Sequence, residues 1–126
     1  NSASMNGGGV WSSEGSDWTM SNSTVEYNSA PYMGGGFGFW NHNGPHGDGG
    51  TNLNATLRNV TIANNVAQAG WWIGYGGGVW ANNSNTVFEY CDIVDNIANN
   101  NGGGVNFWGG SSPVFRNTHF EGNYWE

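Results

Sequence analysis

The sequence predicts an all-β protein in which about four coils of a right-handed parallel β-helix, a solenoid, stack without caps. Three observations support this fold class: residue patterns that recur along the chain, 23 glycines in 126 residues, and apolar residues in short alternating runs such as 87–93. Matching columns in successive units indicate a repeat architecture. Equivalent strands would pair about 4.8 Å apart, and a crossover between parallel strands is expected to be right-handed.

Each coil begins at an asparagine, and wherever the chain extends that far an apolar residue lies three positions earlier. These asparagines are Asn1, Asn28, Asn65, Asn96 and Asn123. They divide a single domain, 1–126, into coils 1–27, 28–64, 65–95 and 96–122 with a stub 123–126. Stacked asparagines pass amide hydrogen bonds from coil to coil, so we expect these side chains to point inward.

Further columns follow at fixed offsets. Two apolar columns, predicted to line the interior, are Met20, Leu57, Phe88 and Phe115, and Val25, Ile62, Ile93 and Phe120. An alanine column ends in tryptophan: Ala3, Ala30, Ala67, Ala98 and Trp125. A second polar column, also expected inside, consists of Asn22, Asn59, Tyr90 and Asn117, so that sequons at Asn22 and Asn59 would be inaccessible. Asn83, outside these columns, is expected to be exposed.

A glycine triplet directly precedes a predicted strand in each of the four coils. The triplets occupy 7–9, 34–36, 76–78 and 102–104, and each is followed by valine or phenylalanine. Glycine suits a backbone with positive φ or a place where two backbones approach closely. We expect one of these constraints at each triplet.

Three sequence elements together resemble the repeats of a known family. They are GGGV, an apolar-x-Asn pattern as in 57–59, and an apolar-x-x-Asn pattern as in 62–65. These resemble the right-handed parallel β-helix repeats of pectin-lyase-like proteins, polymorphic outer-membrane proteins and bacterial adhesins, with their GGA(I/V/L) and FxxN elements. This chain has glycine where the adhesin repeat favours alanine, and 120–123 is its only literal FxxN. The resemblance implies the fold and an extracellular or cell-surface location.

Charge excludes several classes of partner. The net charge is −7 and the chain has no lysine, which argues against nucleic acid and against anionic membrane surfaces. No segment approaches the roughly 20 apolar residues of a membrane span, so no membrane insertion is expected. Both arginines, Arg58 and Arg116, share a column with Glu89, where an ion pair is expected. Cys91 is predicted to be a buried free thiol.

Aromatic residues outside the core provide the candidate interaction surface. Trp11 and Trp80 share one column, and Trp40 and Trp108 share another. Such columns can face the core or a lateral groove, stack on sugar faces, or contact neighbouring filaments. An insertion adds Trp71, Trp72 and Tyr75, and the candidate surface is therefore Trp71, Trp72, Tyr75, Trp11 and Trp80.

A second insertion holds the weak metal candidates His42, His46 and Asp48, whose side chains could bind a divalent ion. A glycine-rich and proline-containing loop has no regular backbone to aim such ligands, so we predict neither a metal site nor a cofactor. The carboxylates are scattered, and no Ser-His-Asp spacing or GxSxG element is present. We therefore expect no enzymatic activity.

The two ends of the predicted helix have unpaired strand edges at the same phase of the coil. Such edges favour head-to-tail contact between copies, which does not close and therefore produces a filament. We accordingly expect an extracellular structural protein that assembles with itself. The alternatives are a glycan-binding adhesin module excised from a longer β-helix, and a polysaccharide lyase or hydrolase.

Overall fold

The computed structural model describes residues 1–13, 17–41, 53–68 and 74–126. The secondary structure in these ranges is β, in strands β1 (Val10–Ser13), β2 (Trp18–Glu26), β3 (Ser29–Ala30), β4 (Phe37–Trp40), β5 (Leu53–Ala63), β6 (Val66–Ala67), β7 (Val79–Asn82), β8 (Ser84–Glu89), β9 (Asp92–Val94), β10 (Ile97–Ala98), β11 (Val105–Trp108), β12 (Val114–Arg116), β13 (His119–Glu121) and β14 (Tyr124–Trp125). None of these residues forms a helix long and apolar enough to cross a membrane.

The strands form three sheets, and the pairs within them are parallel. The first sheet has the order β1-β4-β7-β11, and the second has the order β14-β10-β6-β3. The third runs β12-β8-β5-β9-β13, with β2 also paired to β5. Strands that pair belong to successive sequence repeats, so that the predicted all-β class and parallel pairing are confirmed.

The two predicted apolar columns are confirmed by the strand register. Met20 pairs with Leu57, Leu57 with Phe88 and Phe88 with Phe115. Val25, Ile62, Ile93 and Phe120 align in the same way. Inner members of both columns are fully buried, and Phe37, Phe39, Leu53 and Val79 join them in one core. Burying each of these side chains contributes about 1.5–3 kcal/mol.

In the asparagine column of Asn1, Asn28, Asn65, Asn96 and Asn123, the three inner members are buried, as predicted, while Asn1 is exposed and Asn123 is partly buried. Asn65 and Asn96 are fully buried. The Nδ2 atom of each donates to Oδ1 of the next: Asn28 to Asn65 at 3.0 Å, Asn65 to Asn96 at 3.0 Å, and Asn96 to Asn123 at 2.9 Å. Asn1 begins the series with a 3.2 Å bond to Asn28. We call this series the amide ladder.

The second polar column does not lie inside, and the prediction for it was wrong. Asn22, Asn59, Tyr90 and Asn117 are exposed and have left-handed backbones, with φ of 50°, 53°, 53° and 48°. A left-handed residue breaks the alternation of the strand, so two successive side chains face outward and the following one faces inward. Val60 and Cys91 occupy that inward position and are buried. The sequons at Asn22 and Asn59 therefore lie at the surface.

The glycine triplets meet both predicted constraints at different positions. The first glycine has positive φ, as at Gly34 with 64°. The second touches the backbone of the second sheet, since a Cβ on Gly77 would lie 2.2 Å from the carbonyl oxygen of Ile97. The third rests on the amide ladder, where a Cβ on Gly36 would lie 3.0 Å from Nδ2 of Asn65.

Glu89 lies between the two arginines, as the columns predict. Its carboxylate accepts from Nη2 of Arg58 at 2.5 Å and from Nη1 of Arg116 at 2.8 Å. The hydrogen bond from Arg116, followed by that from Arg58, lowers the pKa of Glu89 below its usual value. Cys91 is a free, buried thiol as predicted, and burial raises the pKa of that thiol.

The expectation that Asn83 is exposed was wrong. Asn83 is buried at the corner between β7 and β8, with φ of 50°. Its Nδ2 donates to the carbonyl oxygen of Asn41 at 3.1 Å, and its Oδ1 accepts from the N–H of Gly110 at 2.9 Å. This side chain therefore joins three segments of the chain.

Candidate binding groove and end surfaces

A cluster of tryptophans lies on the outer face of the first sheet, where alternate residues of β1, β4 and β7 point away from the core. Trp11 and Trp80 occupy the same column on either side of Gly38. Their rings are parallel, with an interplanar angle of 4° and centroids 6.3 Å apart. The ring of Trp11 fills the space above Gly38, because a Cβ there would lie 2.2 Å from Cε3 of Trp11.

Trp40 closes this cluster from the side. Its ring lies edge-on to Trp11, at 6.1 Å and 67°, and to Trp80, at 5.7 Å and 66°. Edge-to-face contacts of this kind stabilise by about 0.5–1.5 kcal/mol beyond the burial of area. Trp80 is consequently almost fully covered although it faces away from the core.

Next to the cluster is an open groove of about 320 Å³. Its lining residues, which define the aromatic groove, are Met33, Trp40, Tyr75, Trp80, Asn82 and Trp108. Trp40, Asn82 and Trp108 follow one another in a single column, so Asn82 lies between two tryptophans in the strand register. Trp108 is 64% exposed.

The aromatic groove is suited to binding, and among its lining residues the phenol of Tyr75 is the one group that could take part in acid–base chemistry. Its lining residues include no carboxylate, imidazole, thiol or basic side chain. The carboxylate of Glu89 lies away from the groove, where it pairs with Arg58 and Arg116. In such a groove an anionic ligand is disfavoured, because it would lose hydration without a partner of opposite sign.

The first repeat ends in a concave surface that we call the leading edge. It is formed by Asn1, Gly9, Val10, Thr24, Val25, Glu26 and Asn28. The strands at this edge pair with strands of the second repeat on one side only. For example, the N–H of Val10 donates to the carbonyl oxygen of Gly36 at 2.9 Å. Within the described ranges, Oδ1 of Asn1 accepts no hydrogen bond.

The last repeat ends in a corresponding surface, the trailing edge, formed by Gly104, Val105, Phe120, Glu121, Gly122 and Asn123. Here both apolar columns open to solvent. Phe115 is 39% exposed and Phe120 is 43% exposed, whereas the members of the same columns one repeat earlier are fully buried. The trailing edge is therefore a cross-section through the core.

No protein-family model matches this chain. Comparisons with curated proteins and with solved structures also give no match. What the chain does has to be inferred from the aromatic groove and the two edges.

The structure brings together three of the five residues of the predicted interaction surface. Tyr75 and Trp80 line the aromatic groove, and Trp11 stacks on Trp80. Trp71 and Trp72 lie outside the described residues. The tryptophans of the two columns face a lateral groove on the outer side of the first sheet and not the core.

The weak metal candidates His42, His46 and Asp48 also lie outside the described residues. Within residues 1–13, 17–41, 53–68 and 74–126, no three His, Cys, Asp or Glu side chains are grouped to hold a metal ion.

Sequence reasoning missed Met33 and Asn82. Met33 and Tyr75 are paired across repeats directly before a glycine triplet, and Asn82 takes the place between Trp40 and Trp108. Extending the alignment by one position before the triplets would have found Met33, and filling the column of Trp40 and Trp108 in the third repeat would have found Asn82.

Proposed function

We propose that this chain is a right-handed parallel β-helix repeat protein whose copies stack head to tail into an extracellular structural filament. The observation that carries the proposal is the direction of the amide ladder. Asn28, Asn65 and Asn96 each donate from the backbone N–H and from Nδ2 to Oδ1 of the following asparagine, and Asn1 donates to Asn28 from Nδ2 alone. Asn1 therefore presents an open acceptor at the leading edge, and Asn123 presents donors at the trailing edge.

The main chain at the two edges is complementary in the same way. The N–H of Val79 donates to the carbonyl oxygen of Gly104 at 2.8 Å. In a stacked pair, the N–H of Val105 would donate to Gly9 of the next copy by the same pattern. Open strand edges of this kind pair readily with another chain.

The apolar columns supply the main driving force for stacking. Continued register would place Met20 of the next copy against Phe115, and Val25 against Phe120. Covering these half-exposed rings would remove apolar area from water at about 25 cal/mol per Å². The contact between copies would then resemble the contact between repeats within one copy.

A proline at Val105 tests this proposal, with alanine as its matched control. Val105→Pro removes the open N–H at the trailing edge, whereas Val105→Ala keeps it. We expect the parent and Val105→Ala to form long threads in electron micrographs and concentration-dependent species in sedimentation, and Val105→Pro to remain short. A parent that stays monomeric at high concentration, or a proline variant that still forms threads, contradicts the filament. In that case, adjoining repeats of a longer chain are the better explanation of the edges.

One contact in the proposed stack is unfavourable, and it provides an independent test. Glu26 and Glu121 share a column with Ala63 and Val94, so that stacking would bring Glu121 beside Glu26 of the next copy. Like charges directly opposite each other destabilise a strand pair. We therefore expect Glu121→Gln and added salt both to promote assembly. Assembly that is weakened by Glu121→Gln would contradict the register of the stack.

A further inference from the structure

The aromatic groove opens on the outer face of the first sheet and is not one of the two edges, although one of its walls, Trp108, belongs to the terminal strand β11. Its volume of about 320 Å³ is at the lower end of small-molecule sites, which occupy about 300–1,000 Å³. A stable protein partner would instead need about 800 Å² of buried surface on each side. The dimensions therefore favour a small ligand, or a single unit of a linear one.

The chemistry of the lining residues narrows the ligand further. Flat indole faces provide apolar surfaces, and the Asn82 amide between Trp40 and Trp108 provides one acceptor and two donor hydrogens. No hydrogen bond engages the Asn82 side chain within the described residues, so the amide is free to bind a ligand. A ligand that fits must present an apolar face and a polar edge, without negative charge.

The spacing of the two indoles suits a ring-shaped ligand. Trp40 and Trp108 belong to strands on either side of β7, so their backbones are separated by two strand spacings, about 9–10 Å. Trp40 is held in place by its contacts with Trp11 and Trp80, and Trp108 is the exposed wall. When a saturated ring stacks on one of these indoles, the polar groups at the edge of the ring lie within reach of the Asn82 amide.

We propose that the aromatic groove binds a neutral hexopyranose unit of a glycan. The C–H face of the sugar stacks on the indole of Trp108 or Trp40, and its hydroxyls pair with the amide of Asn82. Uronic acids and other anionic sugars are disfavoured, because the groove has no basic residue and the chain carries a net charge of −7. Nothing in this proposal depends on whether the copies form a filament.

The experiment is calorimetric and fluorescence titration with cellohexaose, xylohexaose and maltohexaose, and with hexagalacturonate as the charged comparison. The chain is produced in a host without N-glycosylation, since Asn82 belongs to a sequon, and is studied at a concentration where sedimentation shows one species. Trp108→Ala and Asn82→Leu remove the wall and the amide. Trp125→Ala is the matched control, because Trp125 is 69% exposed but lies in the second sheet, away from the groove.

We expect at least one neutral hexasaccharide to bind and to quench or shift tryptophan fluorescence. Trp108→Ala should weaken that binding about tenfold or more, Asn82→Leu should weaken it, and Trp125→Ala should leave it unchanged. Three results would overturn the proposal: no binding of any neutral hexasaccharide, equal or tighter binding of hexagalacturonate, or equal losses in Trp108→Ala and Trp125→Ala. A Trp108→Ala variant that changes only the sedimentation of the chain would identify the groove as a contact between copies instead.

Discussion

Breaking the amide ladder at Asn65 should cost several kcal/mol of stability. The side chain of Asn65 takes part in four hydrogen bonds in the buried interior. Its Nδ2 donates to Oδ1 of Asn96 at 3.0 Å and to the carbonyl oxygen of Val25 at 2.9 Å. Its Oδ1 accepts from the backbone N–H and from Nδ2 of Asn28, at 3.1 Å and 3.0 Å. Leucine has the same branching at Cγ but replaces none of these bonds.

The magnitude follows from the groups that are left without partners. In Asn65→Leu, two buried donors of Asn28 lose their acceptor, and each orphaned donor costs about 1–3 kcal/mol. The carbonyl of Val25 loses a donor in addition, while Oδ1 of Asn96 keeps the backbone N–H of residue 65. We therefore expect a loss of about 2–6 kcal/mol in the free energy of unfolding.

The assay is urea denaturation followed by far-ultraviolet circular dichroism, with two reference variants. Asn101→Leu makes the same chemical change at an exposed site whose column already contains Met33 and Tyr75, so it should cost little. Asn1→Leu removes only the 3.2 Å bond to Asn28 at the leading edge. Asn64 is unsuitable as a control, because its φ of 53° would strain leucine. Equal losses for Asn65→Leu and Asn101→Leu would refute the ladder as a source of stability.

Three further predictions concern the core, the ion pair and the glycine triplets. Ile93→Asp places an unpaired charge between Ile62 and Phe120 and should abolish the cooperative thermal transition. The control is Thr24→Asp, at an exposed site in the column of Asp92, which should shift the midpoint of thermal unfolding by no more than a few degrees. The pKa of Glu89 is lowered in the folded protein, so the contribution of Glu89 to stability is present above about pH 4.5 and is lost as the pH falls. Glu89→Gln should therefore flatten the acid side of a plot of stability against pH. An unchanged acid side would contradict this prediction. Gly77→Ala drives a Cβ against the main chain of Ile97 and should unfold the protein, and a native circular dichroism spectrum would disprove that contact.

The columns could be predicted from the sequence because strand alternation and repetition constrain each other. An apolar residue at one offset in four successive units has few places to lie except a shared interior. Leu57, Phe88, Ile62 and Ile93 needed no further information, and their burial is complete. The ion pair of Glu89 followed from the same alignment, since residues in one column are neighbours across the sheet.

The two asparagine columns could not be told apart by that argument. Asparagine suits a buried amide ladder, but it also suits a left-handed corner that faces solvent. Tyr90 was the signal that separates them, because a large aromatic side chain would not fit between stacked amides in a dry interior. The corner at Asn83 was missed for a further reason. Its left-handed backbone, with φ of 50°, is accompanied by hydrogen bonds to Asn41 and Gly110, which are remote in the sequence.

If copies stack as proposed, the amide ladder sets their relative direction. Because the donors of Asn123 point out of one edge and the acceptor of Asn1 points out of the other, a head-to-head pair would oppose groups of the same kind. Only the head-to-tail arrangement continues the ladder, and that arrangement has no closed form. In such a stack Trp11 of the next copy would lie beside Asn106, in the column that already contains Trp11 and Trp80. Stacking would therefore bring a further indole next to the aromatic groove at every junction, so a linear glycan would find its binding units repeated along one side of the filament.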